Sequence, residues 1–512
     1  MIGRRVLPLL LAIGILCGSV TLPAADPAAK TPEKPEADKS SVEKAPSARD
    51  QEYYELMEVF ADTFEQIERN YVKEVDRRKL MEAALKGMLL NLEDPYSNYI
   101  SPDEIAQFKQ VIEQEFQGIG IHVTVDPQNR RLTVMSPLPG SPAHKAGIRA
   151  GDIIMDIEGK STEGMSLEDA VKLMKGPPGT TVKVGVLHTG EKKAEQLTVG
   201  RAMVQLASVM GDAYNPDGTW NFLLNPEKKI GYIRLISFSR NTSTELRAAL
   251  NKLESEGMKA LILDLRNNPG GLLPQAIEVA DLFLEEGTIV STKGRNTEER
   301  KFDARKKGTI PNVPMAILVN RYSASASEIV SAALQDHKRG IVIGERSWGK
   351  GSVQNVIDLE AGKSQLKLTT ASYHRPSGKN IHRFPNATEK DEWGVMPDDG
   401  YSIRFTNEEF QKFMDARRQR DVLSKEGPPK SDFADTQLNK AVDYVLAQIA
   451  KPEEKKDEKK EDKAAATKGE QKEEKKAEKK AEKTQSSRTS RRAPLALLFR
   501  NEGGVPRTGR AL

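Results

Sequence analysis

The chain has 512 residues, 30% of them charged and 38% hydrophobic, with 78 Lys and Arg against 74 Asp and Glu for a formal net charge of +4. That length accommodates two or three folded units plus tails, and so even a charge balance does not mark a nucleic-acid binder. A single cysteine, Cys17, excludes an internal disulfide framework.

The N-terminus reads as a secretory signal in outline over residues 1–25. Arg4-Arg5 precede an apolar core from Val6 to Val20, and small residues follow at Ala24-Ala25. The core is short for a membrane span, although an uncleaved anchor stays open. Leu16 before Cys17 departs from a lipoprotein signal, and cleavage after Ala25 would leave no cysteine. Residues 26–50, rich in Pro, Ala, Lys and Glu without aromatics, are predicted to be a disordered linker. Order is expected from about Gln51. Leu56, Phe60, Phe64, Ile67 and Tyr71 recur at helical spacing, and a second helical stretch covers Arg77 to Leu92. These give an N-terminal helical region over 51–116 whose apolar residues are read as core. Asp94-Pro95-Tyr96-Ser97 follows, and Ser101-Pro102-Asp103-Glu104 opens another helix with a cap and an N-terminal proline.

Residues 117–200 form a β-rich module. It opens on Gly118-Ile119-Gly120-Ile121, continues with an alternating strand from Arg131 to Met135, and then carries Gly140-Ser141-Pro142-Ala143 and Ala146 to Asp152. In order and spacing this resembles a PDZ domain. The resemblance implies that the 118–121 turn offers N–H groups to a peptide carboxylate while the adjacent strand edge takes the peptide as an extra strand. Free C-termini with apolar ends are the implied ligands; a structural β-domain that no longer binds is the alternative. His122 and His144 lack metal-partner spacing and are read as surface or packing residues.

From Arg201 the chain enters its largest unit, to 425. Met210 to Lys229 is turn-rich, with Asp217-Gly218 suggesting a hairpin that carries Trp220 and Phe222 as an insertion. Gly231 to Leu235 is a strand. Lys259 to Leu265 is an apolar strand that ends in Arg266-Asn267-Asn268-Pro269-Gly270-Gly271 before a helical stretch from Leu272 to Glu285. Tandem glycines leave backbone N–H groups free to face a ligand, as an oxyanion hole requires. Pro314 to Asn320 is another apolar strand, after which Ser323, Ser325 and Ser327 lead into an amphipathic helix carrying Ile329, Val330, Ala333 and Leu334. Gly340 closes that helix, Ile341 to Gly344 reads as a short buried strand, and Lys350 follows between two glycines.

In a parallel sheet every strand ends on the same edge, so the glycine turn, Ser325 and Lys350 gather there although Lys350 lies 25 residues beyond Ser325. Each motif alone has a plain explanation. Ser325 with Glu328 fits a capping box, a glycine-flanked lysine is an ordinary solvated turn, and Pro-Gly-Gly often starts a helix. Their convergence points to a serine nucleophile with a lysine base.

The strings DLRNNPGG, SASASEIVSAALQD and GERSWGKGSVQ resemble the C-terminal processing peptidases, the tail-specific serine proteases of family S41, and the likeness covers residues 50 to 450. It implies a multidomain α/β protein: an N-terminal helical segment, a PDZ domain, a crotonase-like α/β peptidase core over 201–425, a C-terminal helix within 426–450 and a disordered tail over 451–512. It places the nucleophile on Ser325, the general base on Lys350 and the residue that orients the lysine on Gln354. The implied oxyanion donors are the N–H groups of Ala326 and of the Gly270-Gly271 turn. Implied partners are peptide substrates with free apolar C-termini, an adaptor or activator, and a second copy joined through the N-terminal helices. No motif asks for a metal or an organic cofactor.

The chemistry sets a demand. A lysine with a reference pKa of about 10.4 cannot take a proton at pH 7 unless burial or nearby positive charge lowers it to roughly 7–8. Gln354 can hold the neutral amine without adding charge. Trp348 either excludes water from Lys350 or is ordinary core.

Beyond Gln354 come an alternating strand from Gln365 to Tyr373, the turn Arg375-Pro376-Ser377-Gly378, and Gly394 to Asp398. His374 and His382 lie in no Ser-His-Asp context. A last amphipathic helix from Asp435 to Ala450 runs through Leu438, Ala441, Val442, Val445 and Leu446, and the Lys/Glu-rich remainder is expected to be solvated. Its apolar end, Ala511-Leu512, could dock in the chain's own PDZ groove. The sequence thus predicts an exported endopeptidase, periplasmic or otherwise extracytoplasmic. The rival reading is a PDZ tail-binding scaffold with a silent or gated protease domain; acyl-CoA chemistry is a weaker third.

Overall fold

A computed structural model of the chain describes residues 47–113, 115–126, 130–424, 427 and 431–451. The expected signal or anchor, most of the expected linker, and the tail from 452 with its Ala511-Leu512 end lie outside the described residues. The chain divides into two compact units, 1–81 and 82–512.

In the first unit the helix Ala48–Asn70 begins a few residues before the expected start of order. Ser47 caps it: Asp50 N–H donates to Ser47 Oγ at 3.3 Å, and Ser47 N–H donates to Asp50 Oδ2 at 3.1 Å. The predicted periodicity is present, but the reading of its stripe as core is corrected. The helix buries no residue, and Leu56 and Tyr71 are each 59% exposed. Helical spacing shows where a stripe points; it does not supply the element that covers it.

The helix Arg77–Leu90 runs into the second unit, where the short strand Asn98–Ile100 follows, and then the helix Pro102–Glu113, which Ser101 and Glu104 cap as the motif predicts. The PDZ module follows. Its strands Ile121–Val125, Leu132–Pro137, Ile153–Ile157, Thr181–Leu187 and Glu195–Gly200 lie side by side in that order, all antiparallel. Alternation along Thr181–Leu187 turns Val182, Val184 and Val186 into a core with Ile119, Ile154 and Ile157, closed by Ala170 and Met174 of the helix Leu167–Met174. A ribbon of Glu115–Gly118 with Ala202–Gln205 joins the chain's entry to its exit.

The largest part of the unit is built on the strands Ile230–Leu235, Ala260–Asp264, Met315–Val319 and Ile341–Gly344, parallel neighbours in chain order. Every residue of the first three is buried, as a sheet covered on both faces requires. One face packs on the crossover helices Thr242–Ser255, Leu273–Asp281 and Ala326–Asp336, through Leu246, Leu250, Val279, Ile329 and Val330. The other packs Tyr232, Ile262, Leu318 and Ile343 against Ala441 and Val445 of the final helix Thr436–Ile449. The helix Ala326–Asp336 ends before the expected Gly340, because Lys338 itself takes the left-handed turn at φ 54°. In the expected 210–229 hairpin, Ala213–Tyr214 pairs with Trp220–Asn221, and Tyr214 stacks on Trp220 at 3.8 Å. A second, antiparallel sheet carries Asn98–Ile100, Ser364–His374, Thr288–Gly294 and Thr297–Asp303, with Ser352–Leu359 also paired to Ser364–His374.

Arg266, at the end of the second core strand, fastens that strand to the last helix. Its guanidinium donates to Asp264 Oδ2 at 2.7 Å and to Asp435 Oδ1 at 2.9 Å, and Asp435 Oδ1 also accepts from Leu438 N–H as the helix N-cap. Asp435→Ala is expected to cost about 2 kcal/mol in the peptidase core, from the lost cap and one lost partner of a buried arginine. Denaturant unfolding followed by tryptophan fluorescence measures it.

Candidate active site

The three alternate serines have divided roles. Ser323 Oγ donates to Leu265 O at 2.8 Å and Ser327 Oγ donates to Asn268 O at 2.9 Å. Asn320 and Asn267 add a reciprocal pair, Asn267 N–H to Asn320 Oδ1 at 3.0 Å and Asn320 Nδ2 to Asn267 Oδ1 at 2.9 Å. Two serines therefore fasten the serine turn to the glycine turn. Between them Ser325 sits at φ 56°, ψ −112°, outside the regions a serine ordinarily occupies, and it lines a cavity of about 690 Å³. A non-glycine residue held at such angles stores of order 1–3 kcal/mol and persists only where its surroundings over-determine it.

The glycine turn needs both its glycines. A Cβ on Gly270 would lie 2.7 Å from Ala324 O and 2.9 Å from Ala326 N, and one on Gly271 would lie 2.2 Å from Phe238 O. Gly270 N–H donates to Asn268 Oδ1 at 2.9 Å, so the expectation that it faces a substrate is corrected: that donor is already used. The N–H groups of Gly271 and Ala326 have no acceptor among the described residues.

Lys350 and Gln354 line the same cavity as Ser325. Burial lowers the Lys350 pKa first and the neighbouring Lys367 ammonium lowers it further, against opposing influences from Glu328 and Asp94. Gln354 Nε2 donates to Ser352 Oγ at 2.9 Å and to Thr369 Oγ1 at 3.1 Å, and no hydrogen bond joins Gln354 to Lys350 among the described residues. Phe108, Phe238, Leu272, Leu273, Val353 and Val356 give the cavity apolar walls. Trp348 is 51% exposed and so is not core; its Nε1 donates to Tyr96 Oη at 3.3 Å. His374 bonds Ser372 Oγ and Gly378 O, in keeping with its exclusion from a Ser-His-Asp set.

Three further residues belong to the site although the motifs did not single them out for it. Glu328, read from sequence only as a cap, is fully buried and accepts four hydrogen bonds. Ser347 Oγ and Gly349 N–H reach its Oε1, each at 2.6 Å, and Ser325 N–H and Lys350 N–H reach its Oε2, at 2.7 and 2.8 Å. Burial pushes its carboxyl up, and these bonds oppose that. Tyr373 lines the same cavity as Ser325, and burial pushes its hydroxyl up to about 12, so it stays protonated at neutral pH. Lys367 comes from the same strand. The signal for Glu328 was the Ser-x-x-Glu spacing; no motif singles out Tyr373 or Lys367 within their strand.

In the PDZ module, Gly118 to Ile121 lead into a strand, Ile121–Val125, that among the described residues pairs on one side only, with Leu132–Pro137. Ile119 is buried, Gly120 lies at φ 80° against Ser141, and Ile121, Val123 and Val171 are partly buried beside this edge. His144 Nδ1 accepts from Gly140 N–H, and burial lowers the pKa of His122; neither has metal-ligating company among the described residues.

Because one carboxylate spaces the serine turn from the lysine turn, Glu328→Gln is expected to cost about 1–3 kcal/mol of stability and, if these turns carry the chemistry, to lower kcat about 10- to 100-fold with little change in KM. Steady-state kinetics alongside denaturant unfolding checks both.

Comparison with known proteins places these features together. The sequence profile described as "Peptidase family S41" matches residues 229–398, "PDZ domain" matches 107–187, and "Activating protease CtpB N-terminal domain" matches 18–104. A Carboxy-terminal-processing protease of Bartonella bacilliformis is 37% identical over 418 residues, covering 78% of this chain and 90% of that protein. A Carboxyl-terminal-processing protease of Synechocystis is 35% identical over 334 residues, covering 65% and 74%. Among solved structures, the photosystem II D1 C-terminal processing protease is 30% identical with a TM-score of 0.39, covering 73% of this chain and 92% of its own.

Proposed function

Since the chain belongs to peptidase family S41, as a serine peptidase among its carboxy-terminal-processing proteases, we propose that it cuts protein substrates by a Ser–Lys mechanism after capturing their C-terminal tails on its PDZ domain. The observation that carries this reading is the convergence, in one apolar-walled cavity, of Ser325, an amine of lowered pKa on Lys350, and the glycine turn beside Ala326.

Lys350, neutral, takes the proton from Ser325 Oγ as Oγ bonds to the scissile carbonyl carbon. The carbonyl electron pair moves onto oxygen, which the unengaged N–H groups of Gly271 and Ala326 receive. The lysine then passes its proton to the leaving amine as the C–N bond breaks, and the acyl-enzyme remains. Water, deprotonated by the same amine, then bonds to the acyl carbon; the C–Oγ bond breaks as Oγ takes the proton back from the lysine, and the acid product leaves. Gln354 acts through its side-chain oxygen, since its amide nitrogen is spent on Ser352 and Thr369. In the PDZ module the free edge at Ile121–Val125 takes the substrate tail as an added strand, with its carboxylate at the 118–121 turn.

Two assignments rest on the N-terminal region. Residues 1–25 direct the chain out of the cytoplasm, to a periplasmic or other extracytoplasmic site. The exposed stripe of Ala48–Asn70 pairs with a second copy, which the mass in solution of wild type and a Leu56→Lys, Phe60→Lys variant tests.

Cleavage of casein by the purified chain across pH 6 to 10 tests the chemistry. Ser325→Ala and Lys350→Ala should each abolish it, and kcat/KM should rise about tenfold per pH unit while the amine deprotonates. Removing the Lys367 charge removes an influence that lowers the Lys350 pKa, so Lys367→Ala should move the rising limb to higher pH. An active Lys350→Ala would sink the mechanism.

A further inference from the structure

Asp94-Pro95-Tyr96-Ser97 precedes the PDZ module in sequence, yet it reaches the catalytic lysine turn; 252 residues separate Tyr96 from Trp348, which it touches. The turn is held by its own carboxylate. Tyr96 N–H donates to Asp94 Oδ1 at 3.0 Å and Ser97 Oγ donates to Asp94 Oδ2 at 2.5 Å. Thr369 N–H then donates to Ser97 Oγ at 3.0 Å, and Asn98–Ile100 pairs in register with Gln365 to Lys367. The turn is thereby fixed to the strand that carries Lys367, Thr369 and Tyr373. The result is a tyrosine ring whose face lies 4.6 Å from Lys350 Nζ, with its hydroxyl held by Trp348 Nε1.

The charged groups around that amine are few. Lys367 faces it from the strand Ser364–His374, Glu328 from the serine helix and Asp94 from the turn, while His382 acts on Asp94. Glu328 is occupied by four other donors, and no carboxylate lies within ion-pair distance of Lys350 Nζ among the described residues. The aromatic face is thus the group in contact with Nζ that favours a cation.

We propose that Tyr96 is a positioning residue for Lys350, seating the ammonium form of the base and so setting how firmly it holds the proton taken from Ser325. The inference rests on the Ser–Lys reading. A π face attracts a cation electrostatically but carries no formal charge and offers no strong acceptor. A carboxylate in its place would keep Lys350 protonated and idle. An aliphatic wall would make the lysinium, which forms as Oγ bonds to the carbonyl carbon, more costly. Tyr96 lies between these limits, and it brings the segment before the PDZ module into the proton transfer.

The test is the pH dependence of kcat and KM for the full chain with Tyr, Phe, Leu or 3,4,5-trifluorophenylalanine at position 96. Tyr96→Leu should move the rising limb to lower pH by about half a unit to one unit. It should also lower plateau kcat about tenfold and leave KM within about twofold. Tyr96→Phe should keep the wild-type limb, and the trifluoro ring, with the same shape but a weakened negative face, should fall between Phe and Leu. A limb that ignores the fluorines, or a Phe variant that behaves as Leu, overturns the proposal. If Tyr96→Leu does not fold, the fluorinated ring decides alone. If Lys350→Ala keeps the wild-type limb, the Ser–Lys reading fails and this inference fails with it; a lysine-dependent limb that is indifferent to position 96 sinks this inference only.

Discussion

Glu328 accepts hydrogen bonds from the serine turn and the lysine turn on one oxygen: Ser325 N–H and Lys350 N–H share Oε2, while Ser347 Oγ and Gly349 N–H share Oε1. Taking a carboxylate out of water costs several kcal/mol unless its lone pairs are satisfied, and here four donors and the first turn of the serine helix offset that cost. The bonds leave little freedom. If either turn shifts, a buried charge loses partners, so the separation of serine and lysine is fixed by an interaction that touches neither reacting atom. Trp348 N–H to Ser323 O, at 2.9 Å, adds a second tie between the same turns.

The glycine turn is held to the serine turn by different means. Ser323 and Ser327 use their hydroxyls on the carbonyls of Leu265 and Asn268, and the two flanking asparagines exchange hydrogen bonds. These contacts hold Ser325 in a backbone conformation it would not otherwise choose. They also crowd Gly270 against Ala324 and Ala326 so closely that a side chain there would collide. Strain at one residue is thus sustained by polar contacts at its neighbours.

Around Lys350 the balance is electrostatic. Burial and Lys367 favour the free amine, while Glu328, Asp94 and the face of Tyr96 favour the ammonium. Several of these influences arrive on the strand Ser364–His374 and the turn Asp94–Ser97 paired beside it, so the antiparallel sheet acts on a lysine that the turn after the last parallel strand presents.

The sequence by itself determined the parallel core, the order of its three motif-bearing turns, the PDZ module and the last helix. It could do so because these depend on local signals: apolar runs of strand length, glycines at turns that forbid a side chain, and caps at helix starts. It also named Ser325 and Lys350, because parallel strands carry their following turns to one edge whatever the intervening residues are. What it could not determine were contacts between segments far apart in the chain. Gly270 was read as a donor to substrate, but Asn268 takes its N–H; nor could spacing show that the Gln354 amide nitrogen goes to Ser352 and Thr369, which leaves its oxygen to face the cavity. Only the tertiary structure decided that Glu328 joins the two turns, that Tyr373 and Tyr96 border the reacting groups, and that the stripe on Ala48–Asn70 is left exposed. Periodicity and spacing constrain a residue's own element, whereas which side chain meets another across the fold is set by how complete elements pack.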